Sequence, residues 1–227
     1  MIRLQLFIGV LFVSVQAYTQ KPPLIEKLPI YKETVRVSPQ KQMLEIRETI
    51  PSVVYDLRYA TTQNFMNRKM YPSSTNKTFL RRDAVFALRA VQGELNRKGL
   101  GLKIFDAYRP WSVSKKFWDL VKDERYVANP ARGSNHNRGI AVDLTIINLK
   151  TGEALDMGTG FDDFTDAAHH SFKNLPDRIL KNRELLKTVM ERNGFSAYNE
   201  EWWHYTFKSD IKFEVLDIPF KKLNKIK

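Results

Sequence analysis

Residues 134–146 read SNHNRGIAVDLTI and join a glycine turn to an almost wholly apolar run. The run predicts a buried strand over residues 140–147, directly after the turn Asn137-Arg138-Gly139. Asp143 interrupts the run, and a carboxylate buried without a partner costs several kcal/mol, so this strand needs a cation. In a straight strand His136 would face away from Asp143, but the turn can redirect it. The two residues therefore predict either a shared metal ion or, alternatively, a surface histidine and an aspartate paired with an arginine.

Predicted strands and helices alternate irregularly around this segment. Residues 53–59 alternate large apolar side chains with Val54, Asp56 and Arg58, which is typical of a half-buried strand. In chain order the other predicted elements are a helix over 82–98, a strand over 102–107, a helix over 112–127, a helix over 178–193 and a final strand over 203–207. The order shows neither βαβ regularity nor an internal repeat, so the pattern predicts one α+β domain.

The composition narrows the chemistry available to the chain. Its 227 residues suit a single domain with a sizeable core. The absence of cysteine from the sequence excludes disulfides, thiolate zinc fingers, iron–sulfur ligation and a cysteine nucleophile. Any metal must therefore be held by carboxylates or by the four histidines, which are His136, His169, His170 and His204. The adjacent pair His169 and His170 is typical of a surface or a helix start, so we expect no metal there.

The net charge of +12 raises the question of a polyanionic partner. The basic residues are spread along the chain, and no nucleic-acid-binding module or basic and aromatic cluster stands out. We therefore expect no nucleic acid as a partner. A solvated basic surface is one interpretation, and attraction to an anionic cell envelope is the other.

The first residues predict export. Residues 1–17 place Arg3 before an apolar stretch that ends in Val15-Gln16-Ala17, the pattern of a cleaved signal peptide. The stretch is shorter than the roughly 20 residues that span a bilayer, so we expect no stable membrane insertion after cleavage and a periplasmic or secreted protein. The expected organisation is a signal peptide over 1–17, a polar extension over 18–48, the functional domain over 49–209 and a superficial basic tail over 210–227.

Residues 201–204 read EWWH and place a glutamate and a histidine among aromatic rings that exclude water. His204 would complete a set of three ligands with His136 and Asp143, leaving the fourth position of a zinc ion for water. Glu201 could then take a proton from that water and later give one to the leaving amine. An offset of three in a regular strand does not put both groups on one side, so a bulge or turn is required. The alternative is a histidine of the core.

Residues 106–110 read DAYRP and close the strand predicted over 102–107. Arg109 at its end could stabilise the oxyanion of a tetrahedral intermediate, with Asp106 orienting the guanidinium. The alternative is a purely structural ion pair between the same two residues.

Together these motifs resemble the zinc D-alanyl-D-alanine dipeptidases of the VanX type, which share their zinc core with the Hedgehog signalling domain. The matching segments, in the order of the family, are Tyr59-Ala60-Thr61 with Asn64-Phe65, DAYRP at 106–110, SNHNRGIAVDLT at 134–145, MGTGFDDF at 157–164 and EWWH at 201–204. The resemblance implies a central, mainly antiparallel sheet flanked by helices. It also implies one zinc ion on His136, Asp143 and His204, with Glu201 as general base and acid and Arg109 stabilising the transition state. Asp106 matches the acidic residue that precedes this arginine.

The resemblance further implies a small closed pocket for the free dipeptide D-Ala-D-Ala. Tyr59 and Asp162 match positions that contact the ammonium group of the substrate, and Ser134 matches one near its carboxylate. Tyr71 is a further candidate for the pocket wall. Recognition of both ends of the substrate measures its length, which makes such an enzyme a dipeptidase.

Two features depart from that family. An exported enzyme could not deplete the cytosolic dipeptide pool, so scavenging of wall-derived dipeptide fits better than glycopeptide resistance. The extension over 18–48 is the second departure. The alternatives to a dipeptidase are a murein D,D-carboxypeptidase or endopeptidase with the same zinc site, and a non-catalytic zinc-fold binding module. Glu201 and Arg109 argue against the binding module, since a structural zinc ion needs neither.

Overall fold

The structure, a computed structural model, describes residues 22–224. Within this range the strands are β1 (Leu24–Ile25), β2 (Met43–Glu45), β3 (Val54–Tyr55), β4 (Phe79–Arg81), β5 (Leu100–Asp106), β6 (Ala141–Asn148), β7 (Phe195–Tyr198), β8 (Glu201–Phe207) and β9 (Val215–Leu216). The helices are α1 (Leu28–Val37), α2 (Ile46–Thr49), α3 (Arg82–Asn96), α4 (Trp111–Val121), α5 (Asn135–Arg138), α6 (Asp177–Arg192) and α7 (Phe220–Leu223). Across residues 22–224 no helix combines the length and the apolar character needed to span a membrane.

A five-stranded sheet in the order β3-β5-β6-β8-β7 forms the centre of the molecule. All its neighbouring strands are antiparallel except β3 and β5, which run parallel. The α+β class and the mainly antiparallel sheet flanked by helices are therefore confirmed. The register places Asp106 of β5 opposite Asp143 of β6, and Asp143 opposite His204 of β8. Asp106, Asp143 and His204 thus form one row across three strands, the polar row, although they are far apart in the sequence.

The longer helices α3 and α6 cover one face of this sheet. The apolar stripe of α3 is buried, and Val85, Leu88 and Leu95 have no exposed surface. Alternate residues of β6 pack in the same core, which contains Val142, Leu144 and Ile146 together with Leu186 and Val189 of α6. Because side chains alternate between the two faces of a strand, Asp143 lies on the opposite face. The core helices therefore support the sheet from behind the row of polar residues.

Several predicted elements differ from the structure at their ends. The helix predicted over 112–127 ends at Val121 because Lys122 adopts a left-handed backbone conformation with φ 51°. The strand predicted over 53–59 is limited to β3, and a 3₁₀ turn at Arg58–Ala60 follows it. The prediction that residues 203–207 form the final strand is wrong, since β9 follows β8.

Within the tail predicted over 210–227, the described residues 210–224 do not lie superficially as expected. β9 pairs in parallel with β1 of the extension, matching Leu24 with Val215. Leu216 and Ile218 have no exposed surface, and Tyr31 in the extension is equally buried. The basic residues of the tail flank short apolar runs, and burial of those runs outweighs the overall polarity. The signal peptide predicted over 1–17 lies outside the described residues.

His170 predicts a loss of stability in acid. Burial, followed by the charges of Lys187, Arg183 and Lys173, lowers its pKa from 6.5 to about 4. Between these values the unfolded chain binds more protons, so the free energy of unfolding should fall as pH drops from 6.5 to 4. The loss should be roughly 1–3 kcal/mol, since one pKa unit corresponds to about 1.4 kcal/mol and solvent reaches part of the ring.

Urea denaturation at several pH values measures this loss. His170→Gln should flatten the profile between pH 6.5 and 4, and Lys187→Gln should give an intermediate slope. An unchanged slope in His170→Gln would assign the acid sensitivity to other groups.

Candidate active site

His136 lies on the short helix α5, which its flanking residues define. The Ser134 side chain accepts a hydrogen bond from the backbone N–H of Asn137 at 3.1 Å and caps the start of α5. Gly139 ends the helix in a left-handed conformation with φ 71°. The His136 Nδ1–H donates to the carbonyl of Ala107 at 2.7 Å. This bond fixes the tautomer, so the lone pair of Nε2 faces the polar row.

Three candidate ligand atoms converge in front of β6 and β8. His136 Nε2 lies 3.3 Å from His204 Nδ1 and 3.4 Å from an Asp143 oxygen, and His204 Nδ1 lies 2.9 Å from the other oxygen of Asp143. Ligands about 2.0–2.2 Å from a tetrahedral ion lie roughly 3.3–3.6 Å apart, so the two distances from His136 and the donor set fit zinc. The 2.9 Å between His204 and Asp143 is a hydrogen-bond distance, and zinc would replace this bond. The backbone bond to the other nitrogen of His136 is also typical of zinc ligands. Their role in binding the metal stays a prediction.

Asp143 and the histidines beside it shift each other's pKa values. Burial acts to raise the pKa of Asp143, but the His136 and His204 rings outweigh it and hold the pKa well below its usual range. Burial acts to lower the pKa of His204, and the hydrogen bond to Asp143 more than compensates, so the net shift is upward. An ionised carboxylate therefore lies between two imidazoles.

Glu201 begins β8 beside His204. The register of β7 and β8 shifts between Ala197 and Tyr198, so the irregularity predicted for this strand is present. One Glu201 oxygen lies 3.8 Å from His204 Nδ1, and only 12% of the Glu201 side chain is exposed. Burial raises its pKa to about 7, against the opposing effect of the His204 charge. A carboxyl group with this pKa is suited to proton transfer near neutral pH.

Asp106, at one end of the row, forms a buried pair with Arg109. Arg109 Nε donates to one Asp106 oxygen at 2.9 Å, and its Nη2 lies 2.8 Å from the same oxygen and 3.8 Å from Asp143. The guanidinium also stacks over the rings of Tyr59 and Phe117, 5.0 and 4.8 Å from their centres. A guanidinium held on several sides is preorganised to stabilise negative charge.

Tyr71 lies behind this pair, and the prediction that it lines the pocket is wrong. Its hydroxyl donates to the second Asp106 oxygen at 2.7 Å. Its ring faces a separate cavity beside Pro110 and Phe220. Asp106 lies between Tyr71 and the rest of the polar row, so Tyr71 does not reach the wall of the pocket.

A cavity of about 330 Å³ opens in front of the polar row. Its lining includes every candidate predicted to act on the metal, the transition state or the substrate, namely Tyr59, Arg109, Ser134, His136, Asp143, Asp162, Glu201 and His204. At one end the Tyr59 hydroxyl donates to both oxygens of Asp162, at 3.1 and 3.2 Å. Burial and then the charge of Asp143 raise the pKa of Asp162 well above its usual value. A cationic group entering here would offset the cost of ionising this carboxyl.

Sequence reasoning missed Asn137, which holds the site together. Its side chain is fully buried. The amide oxygen accepts from the Ser134 backbone N–H at 2.8 Å, and the amide nitrogen donates to the Arg109 carbonyl and the Ser114 hydroxyl, both at 2.8 Å. The signal was available in the spacing Ser-x-x-Asn, a variant of the helix capping box. In the described part of the chain, the group of converging ligand atoms is formed by His136, Asp143 and His204.

The chain is similar in sequence to known peptidases. A family model described as D-Ala-D-Ala dipeptidase matches residues 39–220. A D-alanyl-D-alanine dipeptidase of Escherichia coli K12 is 32% identical over 180 residues, which is 79% of this chain and 92% of that protein. One from Enterococcus faecalis is 33% identical over 180 residues, covering 71% and 89%.

Two solved structures are similar to part of the chain. The LdcB LD-carboxypeptidase matches 57% of this chain and 59% of its own at 18% identity and a TM-score of 0.40. The Zn(II) complex of the D,D-pentapeptidase VanY matches 63% and 84% at 17% identity and a TM-score of 0.39. The match over residues 39–220, together with relatives aligned over nearly their whole length, shows that the chain belongs to the D-Ala-D-Ala dipeptidase family of peptidases.

Proposed function

We propose that this peptidase uses zinc to hydrolyse the free dipeptide D-Ala-D-Ala to two D-alanines. One observation carries the proposal: the cluster of His136, Asp143 and His204 shares a cavity of about 330 Å³ with Glu201, and an acidic group, Asp162, stands in the wall of the same cavity. The cluster accounts for hydrolysis. The acidic group accounts for a substrate that carries a free ammonium.

His136, Asp143 and His204 would hold the zinc ion through the atoms that converge in front of the sheet. When bound, zinc supplies a Lewis acid that polarises a carbonyl and lowers the pKa of water. Glu201 accepts a proton from the attacking water and then donates it to the leaving amine. Trp203 and the other apolar walls keep bulk water away, which strengthens each charge in the cavity.

Arg109 stabilises the negative charge that develops on the carbonyl oxygen of the substrate. Its bonds to Asp106 hold the guanidinium before the reaction begins, so little reorganisation is needed in the transition state. Tyr71 and the stacked ring of Phe117 restrict it further. Asp106 and Tyr71 are positioning residues in this scheme, because they act through the arginine.

The two ends of the cavity recognise the two ends of the dipeptide. Asp162, with its Tyr59 partner, binds the ammonium group. The Ser134 oxygen accepts a bond from Asn137, which leaves its hydroxyl hydrogen free to donate to the carboxylate of the substrate. A longer or blocked peptide loses one of these terminal contacts.

Release of D-alanine from two substrates tests the proposal. The zinc-loaded protein should cleave free D-Ala-D-Ala and should discriminate against its N-acetyl derivative by about a hundredfold or more in kcat/KM, because a buried acid is left without its cation. Comparable cleavage of both substrates would identify a D,D-carboxypeptidase instead. Failure to cleave either would contradict a peptidase acting on D-alanyl peptides.

We further propose that the mature protein is exported and scavenges dipeptide derived from the cell wall. The apolar stretch and small residues of 1–17 support this location. N-terminal sequencing of protein recovered outside the cytoplasm should begin after Ala17. A protein that retains Met1 and stays in the cytoplasm would contradict export.

A further inference from the structure

Arg183, on the core side of the sheet, ties together the two ends of the loop that carries Asp162. Its Nε donates to the carbonyl of Met157 at 2.7 Å. Its Nη2 donates to the carbonyl of Ala167 at 2.9 Å and its Nη1 to that of His169 at 3.1 Å. One guanidinium on α6 thereby closes the loop over residues 157–169.

The environment of Arg183 is unusual for a cation. The residue is 4% exposed, and within residues 22–224 no carboxylate forms a salt bridge with it. Burial accordingly lowers its pKa. A buried guanidinium whose three hydrogen bonds all go to neutral carbonyls is expensive, and an apolar side chain would pack there at lower cost. What offsets this cost is geometry, since the planar guanidinium of arginine holds three carbonyls in fixed positions at once.

The loop needs this restraint because its backbone is strained. Asp162 adopts the left-handed region at φ 61°, which is unfavourable for a residue other than glycine. Gly158 has φ 85° and lies so close to α6 that an added Cβ would stand 3.0 Å from Ile179 and 3.5 Å from Arg183. Near the start of the loop, Trp202 Nε1 donates to the Thr159 hydroxyl at 2.8 Å. The loop is thus held against the core on one side while Asp162 faces the cavity on the other.

We propose that Arg183 is a positioning residue for ammonium recognition: by closing the loop over 157–169 it holds the Asp162 carboxylate where the amino end of the substrate binds. This inference rests on the proposed function, because Asp162 is one of the groups proposed there to bind the substrate. Loss of the clamp should weaken substrate binding and leave the metal cluster and Glu201 in place.

The test compares steady-state constants for free D-Ala-D-Ala among zinc-loaded variants. Arg183→Lys keeps the charge but cannot span three carbonyls, so KM should rise about ten- to a hundredfold, and kcat should stay within about threefold. Gly158→Ala should raise KM in the same way, because the added methyl pushes the loop from α6 while Arg183 is intact. Arg178→Lys is the matched control, since Arg178 is an exposed arginine on the same helix, and it should match the wild type.

A double-mutant cycle separates positioning from general damage to the fold. Asp162→Ala removes the group that Arg183 is argued to place, so adding Arg183→Lys to it should change KM little further. The inference would be overturned if the two substitutions multiplied each other's effects on KM. It would also be overturned if Arg183→Lys lowered kcat and kcat/KM equally at constant KM. Wild-type KM in both Arg183→Lys and Gly158→Ala, while the wild type cleaves the dipeptide, would overturn it as well. A wild-type protein that cleaves no D-alanyl peptide contradicts the proposed function itself, and the inference falls with it.

Discussion

Glu201→Gln should lower kcat for D-Ala-D-Ala by about a thousandfold while zinc stays bound. The substitution keeps the shape of the side chain but removes the proton acceptor, and general-base catalysis contributes about 10²–10⁴-fold in enzymes. Glu201 lies 3.8 Å from His204 yet is outside the group of converging ligand atoms, so the metal site should remain intact. D-alanine release and metal content by mass spectrometry measure the two effects on the same sample.

Glu200→Gln provides the matched control. It neutralises the neighbouring carboxylate, which does not line the cavity, and should leave kcat within about twofold of the wild type, as expected for a substitution away from the reacting groups. A Glu201→Gln enzyme with near-normal kcat would show that another group transfers the proton. Loss of zinc from that variant would make Glu201 a ligand.

His136→Ala should abolish stable zinc binding, and activity should fall with it. His136 contributes one of the three candidate ligands, and its bond to the Ala107 carbonyl orients the ring, so the substitution removes a preoriented ligand. The metal supplies several kcal/mol of transition-state stabilisation, so kcat/KM should fall by at least about a thousandfold. Metal content after dialysis and D-alanine release at a fixed zinc concentration measure the result.

His169→Ala serves as the control for removal of an imidazole. His169 lies outside the cluster, and its variant should keep one zinc ion per chain. If His136→Ala retained a full equivalent of zinc with the wild-type affinity, the cluster in front of β6 and β8 would not be the metal site. The two histidine variants therefore decide the assignment together.

The sequence predicted best what depends on short-range periodicity. The stripe of α3 and the apolar run of β6 are local patterns, and both elements lie within a few residues of their predicted ends. The sequence did not predict that α4 ends before Lys122, because helices that end in a left-handed residue usually have glycine there and this one has lysine. The pairing of the tail with β1 was missed because short strands far apart in the chain leave no periodic trace.

The site was predictable as separate motifs, whereas its assembly was not. Asp106, Asp143 and His204 were each singled out from their neighbours in the sequence. Their alignment in one row follows from the register between three strands, which depends on pairing across long stretches of chain. The position of Tyr71 behind Asp106 follows from the same tertiary packing.

The parallel pair of β1 and β9 also sets an order of events in synthesis. Leu24 is synthesised early, but β1 and β9 can pair only after Val215 has been made. Contacts of this separation form slowly, because the loop-closure entropy of the whole intervening segment must be overcome first. A chain whose residues 215–216 are still inside the ribosome therefore lacks the pair of β1 and β9. The contact between the extension and the tail can form only after residue 216 has been released.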